Sequence, residues 1–123
     1  EITTITLRPE DIPTYQAEAS DRSLDTQLAK RESGFDTFFY SQTDVEHKVR
    51  QLYGDSKCFD QTPYRRKMDL VFVDGSHAYS YVASDSRKAL EMVRPGGIVL
   101  PGPIVPRPRR DENRPWVGLP RTP

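Results

Sequence analysis

Residues 68–100, MDLVFVDGSHAYSYVASDSRKALEMVRPGGIVL, decide the fold. Leu70, Val71, Phe72 and Val73 form a continuous apolar run, the pattern of a parallel strand covered on both faces. The run ends on Asp74, followed by Gly75, Ser76 and His77. Beyond them the apolar positions fall at Tyr79, Val82, Ala83, Ala89, Leu90 and Val93, a helical period. Pro95, Gly96 and Gly97 stop that helix, and Ile98, Val99 and Leu100 open a second apolar strand. This is a βαβ unit with a carboxylate at the C-terminal end of its first strand. Open α/β sheets bind their ligands at that edge.

Upstream the signals weaken. Residues 2–7 alternate apolar side chains with Thr and predict a short strand. Residues 9–35 are polar, with helix-forming stretches at 15–19 and 23–31. The aromatic-rich run 35–40 suits either packing on the sheet or a loop. Between 44 and 53, Val45, Val49 and Leu52 share a helical face, while Val49, Gln51 and Tyr53 alternate. That combination predicts a helix running into a short strand before Gly54, Asp55 and Ser56. Residues 60–67 read as a polar loop. Downstream, residues 101–123 hold seven of the eleven prolines and five arginines. Proline at that density removes backbone donors and blocks both helix and inner strand. The segment reads as a disordered, partly polyproline II tail following a domain at 1–100.

Composition bounds the function. At 123 residues the chain is one domain at most, with a core of modest size. Its 18 basic and 18 acidic residues balance, so no overall field draws it to nucleic acid or to an anionic membrane. A mean hydropathy of −0.73 and no long apolar run exclude a transmembrane helix. The strand-like, acidic N-terminus is not a signal peptide, and Cys58 is the only cysteine, so the expected compartment is the cytoplasm. Nothing around Cys58 suggests thiolate activation.

The segments DLVFVDGSHAYSYVASD, KALEMVRPGG and, upstream, QLYGDS resemble the class I S-adenosylmethionine-dependent methyltransferases. The nearest likeness is to the bacterial group whose fourth strand ends in Asp-Gly-Ser-His. The likeness runs from about residue 1 to 100 and is strongest over 69–97. It implies a Rossmann-like α/β fold with a mostly parallel sheet, S-adenosylmethionine as methyl donor, and a small-molecule oxygen or nitrogen acceptor. Asp55 and Ser56 match the position associated with adenine recognition. Asp74 matches the strand-four carboxylate, which meets cofactor or substrate and in metal-dependent relatives binds magnesium. His77 stands three residues on, placed to act as a base or a substrate contact.

Several departures matter. The glycine-rich turn after a first strand is absent, because the chain opens on what resembles the second strand. Thr6 stands where a ribose-binding carboxylate is expected, with Glu10 and Asp11 close behind. The His-Asp pair expected after the fifth strand is replaced by Pro101, Gly102 and Pro103. In this class the absent strand lies between the second and fourth. Strands two and four are therefore expected either to close on one another or to have the sheet completed elsewhere, and edges left exposed would let copies self-associate. The chain reads as a truncated product of marginal stability and impaired activity, and its lack of an initiating Met agrees. One carboxylate and a nearby His do not make a magnesium site.

Each candidate has a purely structural alternative. Asp74-Gly75 and Asp55-Ser56 are good turn formers. His77 suits a helix cap, His47 a surface helix position, and Asp85 a structural place within its helix. Two further readings of the whole chain remain. One is a non-catalytic α/β remnant acting through its Pro/Arg-rich tail, where Pro103 and Pro106 make a PxxP. The other is a different nucleotide-binding enzyme, disfavoured because no GxGxxG or P-loop pattern is present.

Overall fold

The computed structural model describes residues 1–34 and 37–102; the tail expected over 103–123 lies outside the described residues. The regular elements are strand β1 (Ile2–Thr6), helix α1 (Ser23–Glu32), strand β2 (Val49–Tyr53), strand β3 (Met68–Val73), helix α2 (Tyr79–Met92) and strand β4 (Val93–Pro101). Short 3-10 turns occupy Pro9–Thr14, Glu46–Lys48 and Thr62–Tyr64. The fold is α/β with every strand pair parallel. β1 pairs with β2, from Ile2 opposite Val49 to Thr6 opposite Tyr53. β3 pairs with β4, and α2 is the crossover between them. The two pairs form separate two-stranded sheets, so β1 and β3 do not close on one another.

The helix foreseen before residue 53 is only one 3-10 turn. The alternation of Val49, Gln51 and Tyr53 prevails because those residues form the ladder with β1. Residues 15–19 are not helical either, whereas α1 forms close to its predicted place.

The stop after α2 is tighter than the sequence suggested. Val93 is already extended (φ −65°, ψ 136°) and pairs with Met68. Pairing resumes with Leu70 opposite Ile98, so Arg94, Pro95, Gly96 and Gly97 form a bulge inside β4 rather than a separate turn. Gly96 takes φ +79° there, and a Cβ on Gly97 would stand 2.6 Å from Val93 Cγ2. Only glycine fits so close an approach. Pro101, placed by the sequence in the tail, is the last residue of β4, opposite Val73. Its missing N–H does no harm, because Gly102 N–H donates to Val73 O at 2.5 Å.

The core is small. Among the described residues its buried hydrophobics are Ala78, Tyr81 and Ala89, all on or beside α2. The inner face of the helix is therefore rotated from the predicted one, and Tyr79 (58% exposed) and Leu90 (68%) point outward. β3 is not covered on both faces as its apolar run implied. Val71, Val73 and Val99 are half-buried on the side where α2 packs. Leu70, Phe72, Ile98 and Leu100, paired across the ladder, stay about half exposed on the other.

Candidate functional site

The carboxyl ends of β2 and β3 lead into the loop 54–59 and the turn 74–77, and α2 joins them. Its N-terminus explains how. The residue before the first turn is Ala78, which has no side chain to cap the free N–H groups. A carboxylate from outside does so: Ser80 N–H donates to Asp21 Oδ1 at 2.7 Å and Ser80 Oγ to Asp21 Oδ2 at 2.6 Å. Burial opposes the charge on Asp21. The Ser80 hydroxyl, the Glu18 and Ser80 amides and nearby Lys57 outweigh it and hold the carboxyl below its ordinary range.

Residues 15–21 thus form a strap across the helix start. Tyr15 stacks on Tyr81 with ring centroids 4.3 Å apart, and its hydroxyl meets Ser76 Oγ at 2.8 Å. Gln16 N–H donates to the Tyr81 hydroxyl at 2.8 Å. Lys57 fastens the strap to the loop after β2. Its ammonium donates to Gln16 O, Glu18 Oε1 and Ser80 Oγ, and lies 4.4 Å from the Tyr81 ring centroid. One turn before the end of α2, Lys88 Nζ donates to the carbonyls of Ser56, Lys57 and Phe59 at 2.6–2.8 Å and gathers that loop.

Against this frame the four sequence candidates separate. Asp55 is 4% exposed, and both its oxygens are engaged: Tyr81 OH donates to Oδ2 at 2.7 Å and Lys57 N–H to Oδ1 at 2.8 Å. Burial and the adjoining Asp55 carboxylate push the Tyr81 hydroxyl far above its ordinary range. Ser56 Oγ donates to Asp85 Oδ2 at 3.0 Å. Asp74 and His77 are exposed at the end of β3. Gly102 lies against Asp74, where a Cβ would come within 2.9 Å of Oδ1. Thr6 Oγ1 accepts from Gln51 Nε2, and Asp11 turns back onto Arg8 with Nε to Oδ2 at 2.9 Å. The ribose-side position therefore has no open carboxylate in Asp11. Beside the strap, an open cleft is lined by Lys57, Tyr79, Ser84 and Arg87 among others, and none of the four candidates borders it.

Sequence reasoning missed Tyr15, Asp21, Lys57, Tyr81 and Lys88. One signal was present: a helix starting after Ala78 needs an acceptor from elsewhere. The rest depend on pairings across 23 to 65 residues.

A protein-family model described as Methyltransferase domain matches residues 2–101. The chain belongs to this methyltransferase family. Comparison with curated proteins and with solved structures found no match. The match spans both parallel sheets and the two loops at their carboxyl edge. At that edge of the methyltransferase domain Asp74 is an exposed acceptor, whereas the Asp85 oxygen that lacks a donor among the described residues is buried. No three His, Cys, Asp or Glu among the described residues cluster so as to hold a metal ion, and no helix among them is long and apolar enough to cross a membrane.

Proposed function

We propose that this methyltransferase domain uses S-adenosylmethionine to methylate an oxygen or nitrogen of a small molecule, as in the class I bacterial group with Asp-Gly-Ser-His after strand four. The observation that carries the reading is the family match over both sheets, with Asp74 and His77 standing open at the carboxyl edge. When bound, the cofactor supplies an electrophilic methyl group. Asp74 and the Ser56 side of the crevice hold it. Asp55 shapes the loop beside Ser56 from within, through Tyr81 and the Lys57 amide. His77 faces the acceptor and takes the proton released as the acceptor is alkylated. Much of the rate in such a site comes from holding two reactants in line. With Thr6 at the ribose position and Asp11 committed to Arg8, cofactor affinity and turnover in this chain are reduced. The cytoplasm is the compartment that suits the single exposed thiol.

Calorimetric titration of the chain with S-adenosylhomocysteine tests the reading. Asp74→Ala is the informative variant, because Asp74 is exposed whereas Asp55 is built into the core. One-to-one binding is expected, weakened about tenfold in Asp74→Ala, the size of one hydrogen bond to a charged group. A folded chain that gives no binding heat overturns the proposal.

A further inference from the structure

The proposed chemistry assigns no part to Asp85, which closes the segment DLVFVDGSHAYSYVASD. It lies in the middle of α2, where a carboxylate favours neither the helix nor burial. Its Oδ2 accepts from Ser56 Oγ at 3.0 Å. The same oxygen is 3.5 Å from where a Cβ on Gly75 would stand, so it also abuts the turn after β3. Its Oδ1 is enclosed and has no hydrogen-bond partner among the described residues. Burial raises the carboxyl above its ordinary range. Asp55 adds to the rise, while the Ser56 hydroxyl, Lys88 and Lys57 oppose it.

The two segments beside Asp85 leave different sheets, and among the described residues no strand pairing joins those sheets. Ser56 follows β2 and Gly75 follows β3, so their separation is not fixed by a ladder. A rigid helix carrying one short side chain to both can fix it. Lys88, one turn further along α2, secures the carbonyls of the Ser56 loop from the same helix. We infer that Asp85 is a positioning residue that sets the spacing between the Ser56 wall and the Asp74 wall of the methyl-donor crevice. This rests on the proposed function for its ligand, though not for its geometry.

The test uses the full chain with Asp85→Ala, Asp85→Asn, Ser56→Ala and the Asp85→Ala/Ser56→Ala pair. S-adenosylhomocysteine affinity is measured by calorimetry and backbone amide exchange by mass spectrometry. Asp85→Ala is expected to weaken binding about tenfold, the scale of one charged hydrogen bond. Asp85→Asn should restore most of it, since its amide oxygen still accepts from Ser56. In amide exchange the double variant should quicken 54–59 and 74–77 no more than Asp85→Ala alone, because both changes remove one shared contact. Exchange should quicken in 54–59 and 74–77 together while α1 and β1 are unchanged.

Unchanged affinity in Asp85→Ala overturns the inference, and so does Asp85→Asn as impaired as Asp85→Ala. If the unaltered chain does not bind the probe, the methyl-donor reading fails and exchange alone decides. Quickening in both segments then upholds the positioning role, and quickening in one segment or throughout the chain overturns it. Should Asp85→Ala fail to fold, amide exchange in Ser56→Ala, which breaks the same link, decides: quickening in both segments upholds the positioning role, and quickening in one or in neither overturns it.

Discussion

At Tyr81 one hydroxyl serves two partners, donating to Asp55 Oδ2 and accepting from Gln16 N–H. The ring meanwhile stacks on Tyr15 and lies beneath the Lys57 ammonium. Tyr81→Phe keeps the ring and removes only the hydroxyl. Asp55, at 4% exposure, then loses one of its two donors. Leaving a buried polar group unsatisfied costs on the order of 1–3 kcal/mol, and the buried Asp55 carboxylate is the group affected. We expect Tyr81→Phe to lower unfolding stability by about 2 kcal/mol in urea titrations. A loss below about 0.5 kcal/mol would mean that water replaces the hydroxyl at both partners. The sequence made Asp55 visible through its turn chemistry, but not its partner. Tyr81 lies 26 residues away, and nothing local marks a tyrosine as a carboxylate's donor.

For the elements, the pattern was a good guide to where α2 starts and a poor guide to which way it faces. Tyr79 and Leu90 are apolar by type yet exposed, while Tyr81, Asp85 and Lys88 turn inward because their polar ends serve the loop after β2. Hydrophobic periodicity registers apolar contact and is blind to a helix face that binds loops through polar tips. The capping of α2 by Asp21 was equally hidden, since the cap comes from 59 residues upstream. Asp21→Ala should cost about 1 kcal/mol, the usual loss for an N-cap. The sign of its pH dependence follows from the lowered carboxyl. A depressed folded value means the Asp21 contribution is complete above the ordinary aspartate range near about 3.9 and fades as pH falls through the lower folded value. Thermal unfolding of the native chain and Asp21→Ala should therefore differ at pH 7 and converge in strong acid. A difference independent of pH would assign the effect to packing rather than charge.

For the molecule as a whole, the sequence foretold parallel strands and the carboxyl edge at which they end. It left the relation of the two sheets undecided. The reason is physical: side-chain patterns specify which face of a strand is buried, whereas the join between β1 and β3 depends on backbone groups that every residue shares. Among the described residues each of the four strands consequently has one unpaired side. Next to the β3 edge stand Leu70 and Phe72, with Ile98 and Leu100 opposite them, all near half exposure. Full burial of such a side chain is worth about 1.5–3 kcal/mol, so each leaves on the order of 1 kcal/mol unrealised. Unpaired edges beside an apolar face are a template for pairing with another copy. Self-association is accordingly expected, with the sedimentation mass rising above 14.1 kDa as concentration increases. Phe72→Lys sets a charge on that face and should hold the chain at the monomer mass without loss of the α2 contacts. A native chain that stays monomeric at every concentration would mean that its edges are guarded, and would remove the basis for pairing between copies.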